Sequence, residues 1–367
     1  MRRLASLFLR QAGRKESGMA LVLTLACISF LVALTLQLMT SVDRQWSGAM
    51  IQREEARLDA LALGGLQVAR AALALDQYGN DFDSFFDQWN TLDSTKIQAL
   101  AGDGAQLSVL VADLGGRLQV NALAGLGQEM AALGARTGTG TNTGASSVAG
   151  TSATSREARA LQRYRGVWRR FLASGRFAIS PEDIDPLLDA LADWVDKDHN
   201  ERPLGAEGGY YQTQDPVYAP RNGPIRFVEE LLLVRGMTRA LLYGDAEHEG
   251  IEPYITVLGN DGMINPNTAP LPVLLALLPD MSEENGKDLL AFRSNRENRA
   301  ALASSDWLSQ VRGLPADLGG DMPLLTVKSR YFAIQVAARR DQFRRVGTGF
   351  MERKDSGEQN LMLWRID

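Results

Sequence analysis

Acidic side chains gather in one part of the chain, where their spacing would suit a metal ion. The segment LADWVDKDHNERPLGAEGGYY (191–211) and the residues just after it offer carboxylates at Asp193, Asp196, Asp198, Glu207 and Asp215. Calcium takes about 6–8 oxygen ligands and tolerates irregular loops, and Asn200 could add an amide oxygen. The D-x-D-x-D-G register of an EF-hand is missing. The residues alone leave two interpretations open: a calcium site, or a solvated acidic loop that follows a helix.

Other chemistry has few residues to carry it. The chain of 367 residues has two histidines, His199 and His248, and one cysteine, Cys27. A single cysteine cannot form an intramolecular disulfide, so the cysteine count does not indicate whether the protein is in an oxidising or a reducing compartment. The sequence has no H-E-x-x-H or G-x-S-x-G motif and no Ser/His/Asp set. A periplasmic metalloenzyme built on the acidic loop would lack a base or nucleophile, so we expect a protein that is not an enzyme.

A third kind of chemistry, DNA binding, is suggested by two stretches that resemble helix-hairpin-helix units, LLLVRGMTRALL and INPNTAPLPVLLALLPDMS. Residues 182–261 carry 17 acidic and 6 basic side chains, a net charge of −11. Such a surface repels a duplex, because phosphate contacts need Lys and Arg. We therefore expect a helical packing module and no nucleic-acid partner, and keep a membrane-anchored helix-hairpin-helix DNA-binding protein as the alternative.

The elements that position these residues begin with an apolar helix. Residues 19–42 carry no charge and follow a leader with basic residues at Arg2, Arg3, Arg10, Arg14 and Lys15. Twenty-four helical residues rise about 36 Å, enough to cross a hydrocarbon core of roughly 30 Å. The run exceeds the 7–15 apolar residues typical of a secretory signal, and no small-x-small cleavage site follows it. A plain signal anchor is the simplest interpretation of these facts alone, with the basic flank in the cytoplasm.

Helical spacing of apolar residues continues over 43–76, so the apolar helix runs into a long amphipathic one. Beyond it, alternation predicts a β-hairpin over 105–123 with its turn at Asp113–Gly116. The Gly/Thr/Ser-rich stretch 132–156 predicts a mobile loop and lacks the lysine of a phosphate loop. Helical patterns follow at 157–174, 180–198, 224–244 and 264–293, and strands at 329–340, 342–353 and 359–367. This order predicts a helical domain inserted into an α/β domain.

The N-terminal region resembles a type IV pilin or pseudopilin. Its basic leader ends in Gly18, and an uncharged helix opens with Met19. The resemblance implies that a prepilin peptidase cuts between Gly18 and Met19 and methylates the new N-terminus. Most members have Glu at the fifth mature position, where this chain has Leu23. A carboxylate in the bilayer is costly without a partner, and the family's Glu is thought to pair with the terminal amine of the subunit above. Leu23 therefore suggests a subunit at the tip.

The rest of the chain is similar to the K-type minor pseudopilin of type II secretion, the general secretion pathway protein K family. The similarity lies in the acidic loop, in DPVYAPRNGPIRFVEELLLVRGM (215–237), in INPNTAP (264–270) and in GRLQVNAL (116–123). It implies an α+β, pilin-like fold, with a long N-terminal helix packed on an antiparallel sheet and a large all-α domain inserted between sheet strands. The implied units are a leader (1–18), a transmembrane or filament helix (19–42), a first pilin-like part (43–125), the inserted domain (126–325) and C-terminal strands (326–367).

The same resemblance implies the function and its setting. A K-type subunit caps the pseudopilus tip and helps to initiate its assembly, for export of folded proteins across the outer membrane. Expected partners are the I- and J-type minor pseudopilins, the major pseudopilin filament and the inner-membrane secretion platform, with exported proteins as further contacts. The protein would span the inner membrane once, with its C-terminal domain in the periplasm. The resemblance also implies structural calcium in the inserted domain, on the acids named above.

Overall fold

A computed structural model describes residues 5–102, 104–126, 148–314 and 324–367, and for residues 5–18 and 148–156 it describes the backbone only. Helix α1, Ala5–Gly79, runs without a break through the apolar and the amphipathic segments, as predicted. One face of its C-terminal half is apolar at helical spacing, with Leu58, Ala62, Leu66, Ala69 and Leu73 all buried. That face packs on the sheet, whereas the side chains from Met19 to Arg53 are all solvent-exposed.

Four strands form the antiparallel sheet under α1, in the order β1-β4-β5-β6. Strand β1 is Gln106–Asp113, and it pairs with β4, Tyr331–Arg340, in a register that sets Val109 opposite Val336. Strands β5, Phe343–Arg353, and β6, Gln359–Ile366, complete the sheet, close to their predicted positions. The inner face of the sheet meets α1 through a core that includes Val109, Phe332, Ile334, Val336 and Met351.

Gly65 allows the close packing of α1 on the sheet. A Cβ at this position would lie 2.5 Å from Val336 Cγ1 and 3.1 Å from Val109 Cγ2. The neighbouring Gly64 faces open space. Only position 65 faces the sheet, so the close packing requires a glycine there and does not require one at position 64.

The predicted β-hairpin over 105–123 is wrong. Strand β1 pairs with β4, while the second half of the segment forms β2, Leu118–Gln119, which pairs in parallel with β3, Ile255–Thr256. The glycines that suggested a turn are needed for a different reason, because other parts of the chain pack closely against them. A Cβ on Gly115 would overlap Ser329, and one on Gly116 would overlap the backbone at Ala269. The chain thus leaves the sheet after Asp113 and enters the core of the helical region.

The region between β1 and β4 is mainly helical, as predicted, and it has its own core of buried residues. Its α-helices, numbered on from α2 (Ser94–Ala101), are α3 (Val148–Leu172), α4 (Pro181–Val195), α5 (Gly208–Tyr211), α6 (Arg239–Tyr243), α7 (Leu271–Leu277) and α8 (Glu283–Ser294). Shorter 3-10 turns connect them at Val120–Leu123, Val228–Leu233, Glu252–Tyr254, Arg296–Ala303 and Ser305–Gln310.

Three predictions in this region differ from the structure, and one is the helix over 264–293, which is two helices, α7 and α8. Helix α3 begins at Val148, so the last part of the predicted loop 132–156 is helical, and residues 132–147 lie outside the described residues. The predicted helix over 224–244 is instead a 3-10 turn followed by α6, because Gly236 adopts a positive φ of 83° between them.

Candidate functional site

The first candidate site is the free half of α1. Its apolar side chains are solvent-exposed from Met19 to Met50, and Leu23 is 67% exposed. The helix is long and apolar enough to span a membrane once. The hydroxyls of Thr24, Ser29, Thr35 and Thr40 each donate to a carbonyl of the preceding turn at 2.8–2.9 Å. Since those hydroxyls are satisfied within the helix, the surface suits a lipid or a packed neighbour.

The proposed cleavage junction, Gly18–Met19, lies inside this continuous helix. Leu23 follows one turn later, and no acidic residue occurs between Met19 and Val42. Among the side chains that the structure describes, the apolar segment from Met19 to Val42 offers no charged group beside Leu23.

The second candidate site is the acidic loop, which begins where α4 ends. Asp193, in the last turn of α4, is fully buried. Its Oδ2 accepts backbone N–H groups from Arg202 at 3.2 Å and Ala206 at 2.9 Å. The Arg202 guanidinium donates to Asp193 Oδ1 and to Asp196 Oδ2, both at 2.5 Å. Asp193 thus organises the loop by accepting three hydrogen bonds from it.

Glu207 lies beside this pair, only 4% exposed, and neither of its carboxylate oxygens has a hydrogen-bond partner. Asp196 Oδ1 is also buried without a partner. Burial, and then the charge of Asp193, raise the pKa of Glu207. Three carboxylates share the single positive charge of Arg202, so the site has free hard oxygens and an excess of negative charge. Both properties fit a bound cation.

The five acids predicted from the sequence therefore separate into two groups. Arg202 joins Asp193 and Asp196, and Glu207 lies near enough for their charges to act on it, although the ligand oxygens of these three acids do not all lie within 4.8 Å of one another. Asp198 and Asp215 are exposed, and Asp198 Oδ1 accepts the backbone N–H of Asn200 at 2.8 Å.

Sequence reasoning missed Arg202 and the packing that supports the loop. Trp194 stacks edge-on against Tyr211, with ring centroids 5.0 Å apart, and its Nε1 donates to Glu230 at 3.0 Å. Arg235 donates to the carbonyl of Gly205 at 2.8 Å. An arginine nine residues after a buried aspartate carries no motif, and only the fold of the loop pairs them.

The two helix-hairpin-helix-like stretches are engaged in packing. A Cβ on Gly236, in the turn of the first, would touch Leu187 of α4, so this turn lies against the protein. In the second, the side chains of Asn265 and Asn267 are buried, and Asn267 Nδ2 donates to Leu302 O at 3.0 Å. Both stretches act as the packing modules that the charge balance predicts.

Comparison with known proteins agrees with the resemblance found in the sequence. A family model described as type II secretion system (T2SS), protein K matches residues 116–260. Type II secretion system protein K of Pseudomonas aeruginosa is 34% identical over 111 residues, which are 30% of this chain and 31% of that protein. The Klebsiella pneumoniae protein K is 32% identical over 151 residues, 40% of this chain and 44% of that protein. The Aeromonas hydrophila protein K is 31% identical over 187 residues, 49% of this chain and 54% of that protein. The chain thus spans between about a third and a half of the length of these relatives.

The fold is similar to a chain in the crystal structure of the GspK-GspI-GspJ complex from the type 2 secretion system of enterotoxigenic Escherichia coli. The TM-score is 0.53 at 16% sequence identity, and the match covers 86% of this chain and 98% of that chain. The likeness confirms the predicted α+β fold.

Proposed function

We propose that this chain is a member of the type II secretion system protein K family, a minor pseudopilin that caps the pseudopilus tip and helps to initiate its assembly, as its similarity to that family supports. In this role it supports export of folded proteins across the outer membrane and catalyses no reaction. The observation that carries the proposal is α1. Its apolar half is exposed and free to pack in a membrane or a filament, while its other half is fixed to a sheet that bears a large helical region.

The position at the tip follows from Leu23 and from the size of the helical region. When another subunit lies above, its N-terminal amine needs an acidic partner at the fifth mature position of the subunit below. Leu23 occupies that position here and cannot act as this partner. A wide helical region between β1 and β4 is also hard to place within a thin filament. The partners we propose are the I- and J-type minor pseudopilins, the major pseudopilin below them and the inner-membrane platform. A relative's crystal structure with GspI and GspJ supports this choice.

The membrane topology in this proposal is a single pass through the inner membrane. The basic residues before Met19 stay in the cytoplasm, and the sheet and helical region lie in the periplasm. A prepilin peptidase removes residues 1–18 and methylates Met19. The apolar helix then remains as the mature N-terminus.

The test is expression of the full-length chain with and without a prepilin peptidase, followed by N-terminal sequencing. We expect a new terminus at Met19 only when the peptidase is present. Gly18→Ala should lower the yield of the cut product, whereas Gly13→Ala in the same leader should not. An intact leader, or a cut elsewhere, would refute the assignment.

We also propose that the acidic loop holds a structural calcium ion, with Asp196 and Glu207 as ligands beside Asp193, and with Asp198 and Asp215 as further candidates at the surface. Calcium would supply the positive charge that the buried carboxylates lack. Limited trypsin digestion of the full-length protein tests this directly, because Lys197 lies inside the loop, whereas Pro203 makes the bond after Arg202 resistant to trypsin. Calcium should protect the Lys197 site in the wild type and not in Glu207→Gln, while Asp245→Asn serves as a control on an exposed acid. Equal protection in Glu207→Gln would contradict the proposal.

A further inference from the structure

A second group of acids lies far from the acidic loop, where α1 joins the connector that follows it. Asp76 is in the last turn of α1, and Asp83 and Asp87 are in the connector. All three are at least nine-tenths buried, with exposures of 5%, 1% and 1%. One carboxylate oxygen from each lies within 4.8 Å of one from each of the others. We refer to Asp76, Asp83 and Asp87 as the junction cluster.

Two arginines from distant parts of the chain reach the junction cluster. Arg353, at the end of β5, donates from Nη1 to Asp76 at 3.2 Å and from Nη2 to Asp83 Oδ2. Arg299, in the helical region, donates to Asp87 Oδ1 at 3.1 Å, and Asp87 Oδ2 accepts the backbone N–H of Ser84 at 2.6 Å. The cluster therefore joins the stem helix, the sheet and the helical region at one point.

One oxygen at the centre of the cluster has no partner. Asp83 Oδ2 accepts from Arg353 and from the backbone N–H of Ser329 at 2.7 Å, whereas Asp83 Oδ1 is buried without a hydrogen bond. A buried carboxylate oxygen that has lost its water and gained no donor is destabilising. Every other part of this side chain is fixed, so the free oxygen is held in place for a ligand.

The charge of the surroundings is also unbalanced. Asp113 lies close enough for the charge of Asp83 to act on it, and the donors that bind Asp113 Oδ2 are neutral: Thr268 Oγ1 at 2.5 Å and Ser329 Oγ at 2.6 Å. Four buried carboxylates thus face three arginines: Arg353 and Arg299 form ion pairs with the junction cluster, and the charge of Arg117 acts on Asp113. Burial, followed by the charge of Asp83, raises the pKa of Asp113 to about 6.

We propose that the junction cluster binds a hard divalent cation of the calcium type, held by Asp83 Oδ1 together with carboxylate oxygens of Asp76 and Asp87. Calcium is favoured over magnesium because it accepts irregular oxygen geometry, whereas magnesium demands an octahedron and retains several waters. The ion would fix the end of the stem helix to the connector and, through Arg299, to the helical region. This site is separate from the acidic loop and does not depend on a calcium ion there.

Each site has tryptophans close enough to report on a bound ion. Trp307 lies near the junction cluster, since its Nε1 donates to Asn267 Oδ1 at 2.8 Å and Asn267 Nδ2 donates to Asp83 O at 3.1 Å. Trp89 is buried two residues after Asp87 and packs on Phe332 with ring centroids 5.7 Å apart. Trp194 directly follows Asp193 in the acidic loop. Terbium, which takes the oxygen ligands of calcium, emits when a nearby tryptophan is excited. The two sites can therefore be told apart in one protein.

The experiment uses the full-length protein in detergent micelles, as the Glu207→Gln variant, to remove the loop site. We expect it to retain one equivalent of terbium that calcium displaces, with tryptophan-sensitised emission. Trp89→Phe and Trp307→Phe, added together to this background, should abolish the emission and leave the bound equivalent, because these two tryptophans report on the ion without binding it. Trp194→Phe should change neither. Asp83→Asn should lose the bound equivalent itself.

Two results would overturn the proposal. The first is a Glu207→Gln protein that near-ultraviolet circular dichroism shows to be folded but that binds neither terbium nor calcium. Bound protons would then neutralise the negative charge of the junction cluster in place of a cation. The second is bound terbium whose emission persists after Trp89→Phe and Trp307→Phe together, which would place the ion elsewhere. If Asp83→Asn fails to fold, this tryptophan comparison still decides the question.

Discussion

Gly205 lies directly against the carboxylate of Asp193, so that a Cβ on Gly205 would overlap Asp193 Oδ2. That oxygen accepts the backbone N–H groups of Arg202 and Ala206 on either side of the glycine. The loop can therefore wrap around the buried aspartate only if residue 205 has no side chain. This contact explains how a loop with so many charges keeps one conformation.

We predict that Gly205→Ala destabilises the protein by about 1–3 kcal/mol, the usual cost of overpacking a closed site. Gly209→Ala is the matched control, because a Cβ on Gly209 meets nothing within 4 Å. Urea unfolding of both variants measures the difference. Equal stability of the two would show that the loop can move away from Asp193 at little cost.

A similar pair of glycines tests the packing of α1 on the sheet. Gly65→Ala should destabilise the protein by about 1–3 kcal/mol, because the new Cβ would push against Val336 and Val109. Gly64→Ala, one residue away and open to solvent, should instead stabilise the helix by about 0.5–1 kcal/mol. Thermal unfolding of the two variants should move in opposite directions, and a shift in the same direction would contradict this packing.

The sequence predicts those parts of the structure that are determined by residues close together in the chain. The length of α1 and the last three strands follow from apolar periodicity alone. The pairing of β1 with β4 does not, since the partner lies at the other end of the chain and Asp113–Gly116 has the composition of a hairpin turn. Those glycines are required by Ser329 and Ala269, which no local pattern indicates.

The same distinction holds for the sites. Residue types predicted the acids of the loop, and Arg202 joins two of the five, Asp193 and Asp196, because the loop that follows α4 returns past Asp193. Their arginine partner was missed. The junction cluster was missed entirely, because Asp76, Asp83 and Asp87 lie more than 200 residues from Arg299 and Arg353 in the sequence and meet them only in the folded chain.

Arg353 should be among the most sensitive positions in the molecule. Its side chain is 2% exposed and serves two buried aspartates. Arg353→Met would leave both without this donor, and breaking a buried ion pair in this way typically costs about 3–5 kcal/mol. Arg365→Met is the control, since the Arg365–Asp367 pair is exposed and such pairs contribute about 0–1 kcal/mol. Denaturant unfolding should separate the two, and a small effect at Arg353 would argue against a charged cluster.

Asp113 should make stability fall as pH rises, contrary to the usual behaviour of carboxylates. Its pKa is raised from 3.8 to about 6 by burial and then by Asp83, so the folded state holds a proton that the unfolded state releases. The stabilisation from this proton is complete below about pH 4 and is lost as pH rises towards 6. Unfolding free energies in a chelating buffer between pH 4 and pH 7 should show this loss. Asp113→Asn should remove that part of the slope, and an unchanged slope would assign the effect to other groups.

Leu23→Glu tests the position at the tip most directly. Leu23 is 67% exposed on the free half of α1, so the substitution should leave the thermal unfolding of the sheet and helical region unchanged. In the membrane an unpaired carboxylate costs about 2.5–3.5 kcal/mol, which pairing with the terminal amine of another subunit would relieve. The variant should therefore accept a subunit above it and be found within filaments, where immunogold labelling would detect it along their length. Leu36→Glu is the control, because it places the same charge in the same apolar segment but away from the fifth mature position, where it could not pair with the terminal amine of another subunit. This variant should therefore reduce assembly. Labelling that stays at filament ends in Leu23→Glu would show that the missing Glu does not determine the position at the tip.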